Sequence, residues 1–484
     1  MKHNGSKLQL FVQGSIVLVV SNICIKAINF FLLPLYTRNL TPSMIGVSDS
    51  ITTFTGVLLP LLVLGLDSAY SAFYFDKDDL KRDRKVFSTL GITFLLLGVI
   101  PLIMCMFSSR LSYFIFKTYD YSMEIRVALA GVSLNLWYLP FSLELRLKNK
   151  MGEFGITSII SSFSMVLFNV LFVTIMKMKE MSLVLSSAIV AGEQLALYSL
   201  FAKDWPQKNF FDCALLKKMF RFAIPLIPSV LMAWVLSLSD RYILLYYYGD
   251  STVGLYGIGA RFVNLLNVVI NGIATAYTTF AFESKDDGDA SVKYYYIFNI
   301  VSALLMLISF TISMFSKEIV AIMTDHAYYS SYVIIRDMMF GQVFYAMTTI
   351  VSYGIMFKKK SIYSLISVSV GAAINILLNM IFIPRYGLNA AAMTTLIGYL
   401  INLMVSYYFS EKFYPCNYGM KKTAITCVLA YFVAMMSLEI PVTFRIGLWV
   451  VCVIVGIIIY IDIIRIMIQF IKNIWIKVIS NEKK

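Results

Sequence analysis

Apolar blocks of about 20 residues, separated by short polar connectors, run along the chain from near Phe11 to near Ile468. Blocks of that length are what an α-helix needs to cross a bilayer core. The windows place spans near 13–35, 47–71, 86–108, 122–145, 154–176, 181–202, 222–247, 253–281, 294–315, 332–356, 361–383, 388–409, 423–440 and 444–465. The expectation is an all-α membrane protein of about fourteen transmembrane helices, with no separate soluble domain. The first block lacks a small-residue cleavage pattern and reads as a retained helix rather than a signal peptide. Two connectors mix Lys with aliphatic and aromatic residues, Phe210 to Phe220 and Met467 to Ile479, and read as helices lying against the headgroups.

Composition agrees with lipid as the solvent. Of 484 residues, 59% are hydrophobic and 14% charged, against roughly a quarter charged in soluble domains. The net charge of +14 is explained by where the cations lie. With the N-terminus inside, 28 of the 41 Lys and Arg fall in inner connectors and tails and eight in outer connectors. This is the positive-inside pattern with both termini cytoplasmic, and it leaves nucleic acid without a role. Six cysteines without CxxC spacing and two histidines, His3 and His326, indicate neither a disulfide framework nor a metal site. No P-loop is present, so direct ATP drive has no support.

Six spans precede the 210–220 connector and six follow it, with two left over. The expected division is 1–209, 210–410 and 411–484: two six-helix lobes of the same orientation, a transporter pattern, and two further helices with a tail. A weak internal echo accompanies it, Leu40-Thr41-Pro42-Ser43-Met44-Ile45-Gly46-Val47 after the first span and Asp250-Ser251-Thr252-Val253-Gly254-Leu255 after the seventh.

Ionisable groups at membrane depth are costly, and each is a candidate for function. Lys26 shares a helix face with Asn22 and Asn29, a polar face suited to a phosphate. Asp240 and Arg241 point about 100° apart, so one is free to line a cavity while the other braces it. Arg261, Asn264 and Asn267 form a polar stripe in the eighth span. Substrate contact is therefore expected from Lys26, Asn29, Arg241, Arg261 and Asn264. Among the acids, Glu193 lies deepest, and Glu193, Asp67 and Asp240 are the candidates for exchanging a coupling H+ or Na+. For Lys26, Arg261 and Glu193 an interhelical salt bridge or hydrogen-bond seam is the competing structural reading; for Arg241 it is snorkelling to the interface, and for Asp67 a place near the cytoplasmic end of a span, where a charge costs less. Pro225 and Pro228 open the seventh span and permit a bend there.

The stretches Ile28-Asn29-Phe30-Phe31-Leu32-Leu33-Pro34-Leu35-Tyr36-Thr37-Arg38-Asn39-Leu40-Thr41-Pro42 and Gly65-Leu66-Asp67-Ser68-Ala69 resemble the polysaccharide transporter family of the multidrug/oligosaccharidyl-lipid/polysaccharide exporter superfamily, which includes the O-antigen flippases. So does the region from Ile224-Pro225-Leu226 through Ser239-Asp240-Arg241-Tyr242 and Val253-Gly254-Leu255-Tyr256 to Phe280-Ala281-Phe282-Glu283. The resemblance implies a V-shaped pair of lobes around a central cationic cavity, alternating between inward-open and outward-open states in the bacterial inner membrane. It implies as cargo an oligosaccharide repeat unit on undecaprenyl pyrophosphate, as in lipopolysaccharide synthesis. Membrane lipids, a polysaccharide polymerase and a chain-length regulator are the implied partners; no cofactor and no catalytic residue are expected. Two other classes stand against this reading. A membrane-embedded glycan polymerase or glycosyltransferase needs a substantial outer loop with catalytic residues, and the connectors near 109–121 and 316–331 are short. A drug exporter of the same superfamily usually has twelve spans and an acidic cation site.

Overall fold

The computed structural model describes residues 30, 32–74, 81–148, 150–463 and 465. Helices and short connectors account for them, and no strand occurs among the described residues. Eleven helices among these residues are long and apolar enough to cross a membrane. One of them, Ser361–Phe413, is two helices that meet at Gly387, whose φ of 55° and ψ of −127° only glycine tolerates readily. Ser122–Leu147 is a further helix of 26 residues. Most of the first expected span and the 467–479 segment lie outside the described residues. The multi-pass, all-helical fold is therefore the one the apolar blocks predict, and the helix count is consistent with about fourteen.

Helix starts depart from the apolar windows where capping chemistry decides. The second span begins at Pro42 rather than near 47: the Thr41 hydroxyl accepts the Met44 N–H at 3.3 Å, and Pro42 takes a first-turn position where no N–H is needed. Asp250–Ser284 likewise begins after a one-residue turn at Gly249, whose φ of 77° reverses the chain directly out of Ile227–Tyr248. Both echoed segments are thus first turns of helices, not loops. The paired prolines behave as expected: a 3-10 turn at Ile224–Leu226 joins the connector helix Cys213–Ala223 to Ile227–Tyr248.

The chain forms two compact units. One comprises Met1–Arg261 with Met323–Tyr328 and Met380–Leu388, the other Phe262–Ile322, Tyr329–Asn379 and Asn389–Lys484. In the first, Leu66, Tyr70, Leu90, Phe94, Leu136 and Met219 build a core in which each is fully buried. Lipid is as apolar as these side chains, so their contribution is close packing rather than escape from water. The buried carboxylate of Glu144 accepts from the hydroxyls of Tyr70 and Tyr74 and pairs with Lys148 at 2.7 Å.

In the second unit the helix Val442–Ile459 is fastened by Arg445. This buried guanidinium reaches both carboxylate oxygens of Glu318 and the Met314 carbonyl. Asp337 accepts from Arg336 at 2.7 Å and from the Tyr431 hydroxyl at 2.9 Å, tying Tyr332–Val351 to Met420–Ser437. Such paired charges lock helices together in an environment where an unpaired one is costly.

Candidate functional site

The first unit holds a polar seam where Pro42–Val63 crosses Ile227–Tyr248 and the start of Asp250–Ser284. Gly46 and Gly254 make the crossing. A Cβ built on Gly46 lands on the Asp250 carbonyl and 2.9 Å from the Gly254 nitrogen; one built on Gly254 lands on the Pro42 carbonyl and 3.0 Å from the Gly46 nitrogen. The backbones therefore touch, as small residues allow in membrane helices. At the mouth of the crossing the Ser43 hydroxyl donates to the Asp250 carboxylate at 2.8 Å.

One turn further in, Asp49 pairs with Arg261 at 3.2 Å, with the two side chains 14% and 21% exposed. The carboxylate fits there because Gly257 leaves room: a Cβ at that position would fall on Asp49 Oδ2. The Arg261 guanidinium also lies over the Tyr36 ring, 5.2 Å from its centroid, an attraction that strengthens away from water. Tyr36 accepts a hydrogen bond from Asn169 at 2.9 Å, and the buried Tyr328 hydroxyl donates to the Leu40 carbonyl at 2.7 Å. Arg241 reaches Thr53 Oγ1 at 3.4 Å. Thr53 lies four residues after Asp49 on the same helix face, so Arg241 and Arg261 converge on one stripe of Pro42–Val63. Arg241 Nε and Arg261 Nη1 are buried with no hydrogen-bond partner among the described residues.

Asp240 and Arg241 do diverge as their adjacency demands. Asp240, 1% exposed, accepts from the Tyr256 hydroxyl and braces the turn between the two helices, while Arg241 faces Thr53. Asn264 is exposed and accepts from Asn267 at 3.2 Å. Glu193, half-buried on Met181–Ala202, has the Ser161 hydroxyl at 3.5 Å. Asp67 is half-buried at the start of Leu66–Tyr74, within electrostatic range of Arg146. Lys26 and Asn29 lie outside the described residues.

Asp49, Tyr36, Tyr328 and the three glycines were not singled out from sequence. The signal for Asp49 was present, an acid between Ser48 and Ser50 in an apolar block. An apolar window that starts near 47 leaves Asp49 at a boundary, whereas the capped helix start at Pro42 puts it two turns deep. A second buried polar seam lies in the other unit, where Thr394 donates to Asn379 and Asn379 donates to Asn375 at 3.1 Å. Outside the spans, the hydrogen bond from Lys148 holds the Asp204 carboxyl below its ordinary value. No group of three or more His, Cys, Asp or Glu able to hold a metal occurs among the described residues.

Solved structures share this multi-pass helical fold. The lipid II flippase MurJ in an inward closed conformation matches with a TM-score of 0.73 at 15% identity, over 95% of this chain and 99% of that one. An inward-facing multidrug resistance MATE family transporter of the MOP superfamily matches with a TM-score of 0.65 at 17% identity, over 81% and 94%. A MOP superfamily transporter from Pyrococcus furiosus, described by a reversed polarity of its binding pocket, matches with a TM-score of 0.58 at 16% identity, over 82% and 95%. In sequence, the model for the family described as polysaccharide biosynthesis protein matches residues 11–281, and the MatE model matches 225–381. The chain belongs to the polysaccharide biosynthesis protein family. An uncharacterized membrane protein of Methanocaldococcus jannaschii is 22% identical over 259 residues, 50% of this chain and 49% of that protein. The match thus spans about half the length of that curated relative.

Proposed function

We propose that this protein is a flippase that carries an oligosaccharide repeat unit, linked to undecaprenyl pyrophosphate, from the cytoplasmic to the outer face of the bacterial inner membrane. It makes and breaks no bond of the cargo. Family membership supports polysaccharide synthesis as the setting, and the likeness to a protein described as a lipid II flippase supports a lipid-linked glycan as the cargo. O-antigen synthesis, with a polymerase and a chain-length regulator as neighbours, is the setting the family suggests.

The observation that carries the mechanism is the seam at Gly46, Gly254, Asp49 and Arg261. By the positive-inside orientation it lies in the outer half of the membrane. A crossing where two glycines bring backbone against backbone, held by the Asp49–Arg261 ion pair and the side-chain hydrogen bonds of Ser43 and Arg241, can part and reform as a unit; a bistable contact of this kind is what alternating access requires. When it parts, Arg261 and Arg241 lose their present partners and offer guanidinium forks to pyrophosphate, which they suit bidentately. Lys26 and Asn29 on the first span, and Asn264 on the eighth, are assigned to the same cargo. Glu193, Asp67 and Asp240 are assigned to coupling-ion exchange, H+ or Na+. A coupling ion drives the cycle only by binding the two states with different affinity.

Deleting the gene in a glycan-producing bacterium tests this. Single lipid-linked repeat units are expected to accumulate on the cytoplasmic side, cleared by the intact gene and not by Lys26→Ala or Arg261→Ala expressed at equal level. If the units reach the outside but remain unpolymerised, the protein is a polymerase and not a flippase.

A further inference from the structure

The connector helix Cys213–Ala223 is amphipathic, but the protein itself takes up its apolar side. Leu215, Met219 and Ala223 are buried at 2%, 0% and 0% exposure in the core of the first unit, where the helix packs on Leu66–Tyr74 and Arg82–Leu97. A helix forms where the sequence expects one, over Cys213–Ala223 rather than from Phe210 to Phe220, and its exposed side is basic. Lys217, Lys218 and Arg221 are exposed there, with exposed Lys208 on the preceding connector. Nearby acids are committed elsewhere: Asp212 caps the helix through the Ala214 and Leu215 N–H groups, and Asp204 pairs with Lys148 at 2.7 Å. None of the four cations forms an ion pair among the described residues. Apolar groups flank them. Phe222 and Ile224 are 45% and 54% exposed where the chain turns into the Ile227–Tyr248 span, and Trp205 is 60% exposed.

We propose that this face binds anionic phospholipid headgroups, with Lys217, Lys218, Arg221 and Lys208 as the phosphate contacts. Four cations on and beside an amphipathic helix that feeds straight into a span form the polybasic pattern that collects acidic lipid. Phe222, Ile224 and Trp205 place that pattern at the level where amphipathic and aromatic side chains meet the headgroups. A soluble acidic protein would answer the charge and leave those apolar groups unmatched, so the lipid surface fits both halves of the observation. Because the helix is fastened on its other side, the charges form a fixed array rather than a floating one. The lipid so held sits at the base of the helix that carries Arg241.

The test uses the full chain in vesicles of phosphatidylcholine with a minor fraction of phosphatidylglycerol. A fluorophore is attached at Cys213, an exposed free cysteine, with the other cysteines replaced. Quenching by acyl-brominated phosphatidylglycerol is expected to exceed that by acyl-brominated phosphatidylcholine by about threefold per mole at low salt, the scale of a modest electrostatic enrichment. The excess is expected to shrink at high salt, to vanish in Lys217→Gln/Lys218→Gln/Arg221→Gln, and to persist when both lysines are replaced by arginine. Equal quenching by the two lipids in the unaltered chain, or an excess that survives the triple glutamine variant, overturns the proposal. Neither result bears on whether the protein is a flippase.

Discussion

Arg261→Ala is expected to slow transport about a hundredfold, Asp49→Ala to do nearly the same, and Asp49→Asn/Arg261→Gln together to recover a measurable part of it. Each single change leaves one charge of the pair at membrane depth without its partner. Stranding one member of a buried pair costs about 3 kcal/mol, which shifts a two-state equilibrium by roughly a hundredfold. A cycle that must pass through the closed seam slows accordingly. The double variant replaces the ion pair with two amides that can hydrogen-bond to each other, so closure returns while the phosphate-binding fork does not. Clearance of lipid-linked repeat units separates the two roles of Arg261. Recovery in the double variant assigns it to closure, whereas loss as complete as in Arg261→Ala assigns it to the cargo as well.

Substitution at the glycine crossing is expected to act through shape alone. In Gly254→Val the new Cβ meets the Pro42 carbonyl and in Gly46→Val the Asp250 carbonyl, and neither obstacle is a side chain that can swing aside. Overpacking in a yielding core costs about 1–3 kcal/mol; against backbone the helices must separate instead. Transport is expected to fall at least as far as in Arg261→Ala, about a hundredfold, with normal insertion and expression. Gly257→Ala is expected to be milder, because the atom it meets is the Asp49 carboxylate, the end of a side chain that can rotate. The yield of a disulfide between cysteines placed at 43 and 250 reads the same effect directly. It is expected to be high in the parent and to disappear in Gly254→Val.

The reach of the sequence was set by what hydropathy and local chemistry encode. Apolar block lengths were enough for the helices, since every backbone polar group in lipid must be satisfied within its own segment. Block edges were less informative. Pro42 looks like a loop residue until Thr41 is recognised as its cap, and that misplacement is what hid Asp49. Arg241 and Arg261 stood out because cations in apolar spans are rare, yet nothing local says that they meet on one stripe of the second span. That depends on the register at which Gly46 and Gly254 cross, which only the packed helices define. The echo around Thr41–Gly46 and Asp250–Gly254 was the nearest clue. The two segments resemble each other and pack against each other, but a short Gly- and Ser-bearing stretch carries no statement of its partner.

The most direct measurement is glycan translocation in vesicles containing the protein with Ser43→Cys/Asp250→Cys in a background free of other cysteines. In this structure the side chains at those two positions are 2.8 Å apart, so oxidation is expected to pin the seam shut. The account predicts that the reduced protein moves a lipid-linked oligosaccharide to the opposite leaflet, that oxidation stops it, and that reductant restores it. If the oxidised and reduced proteins move the cargo equally fast, or if neither moves it at all, the seam is not the moving part of a lipid-linked-glycan flippase.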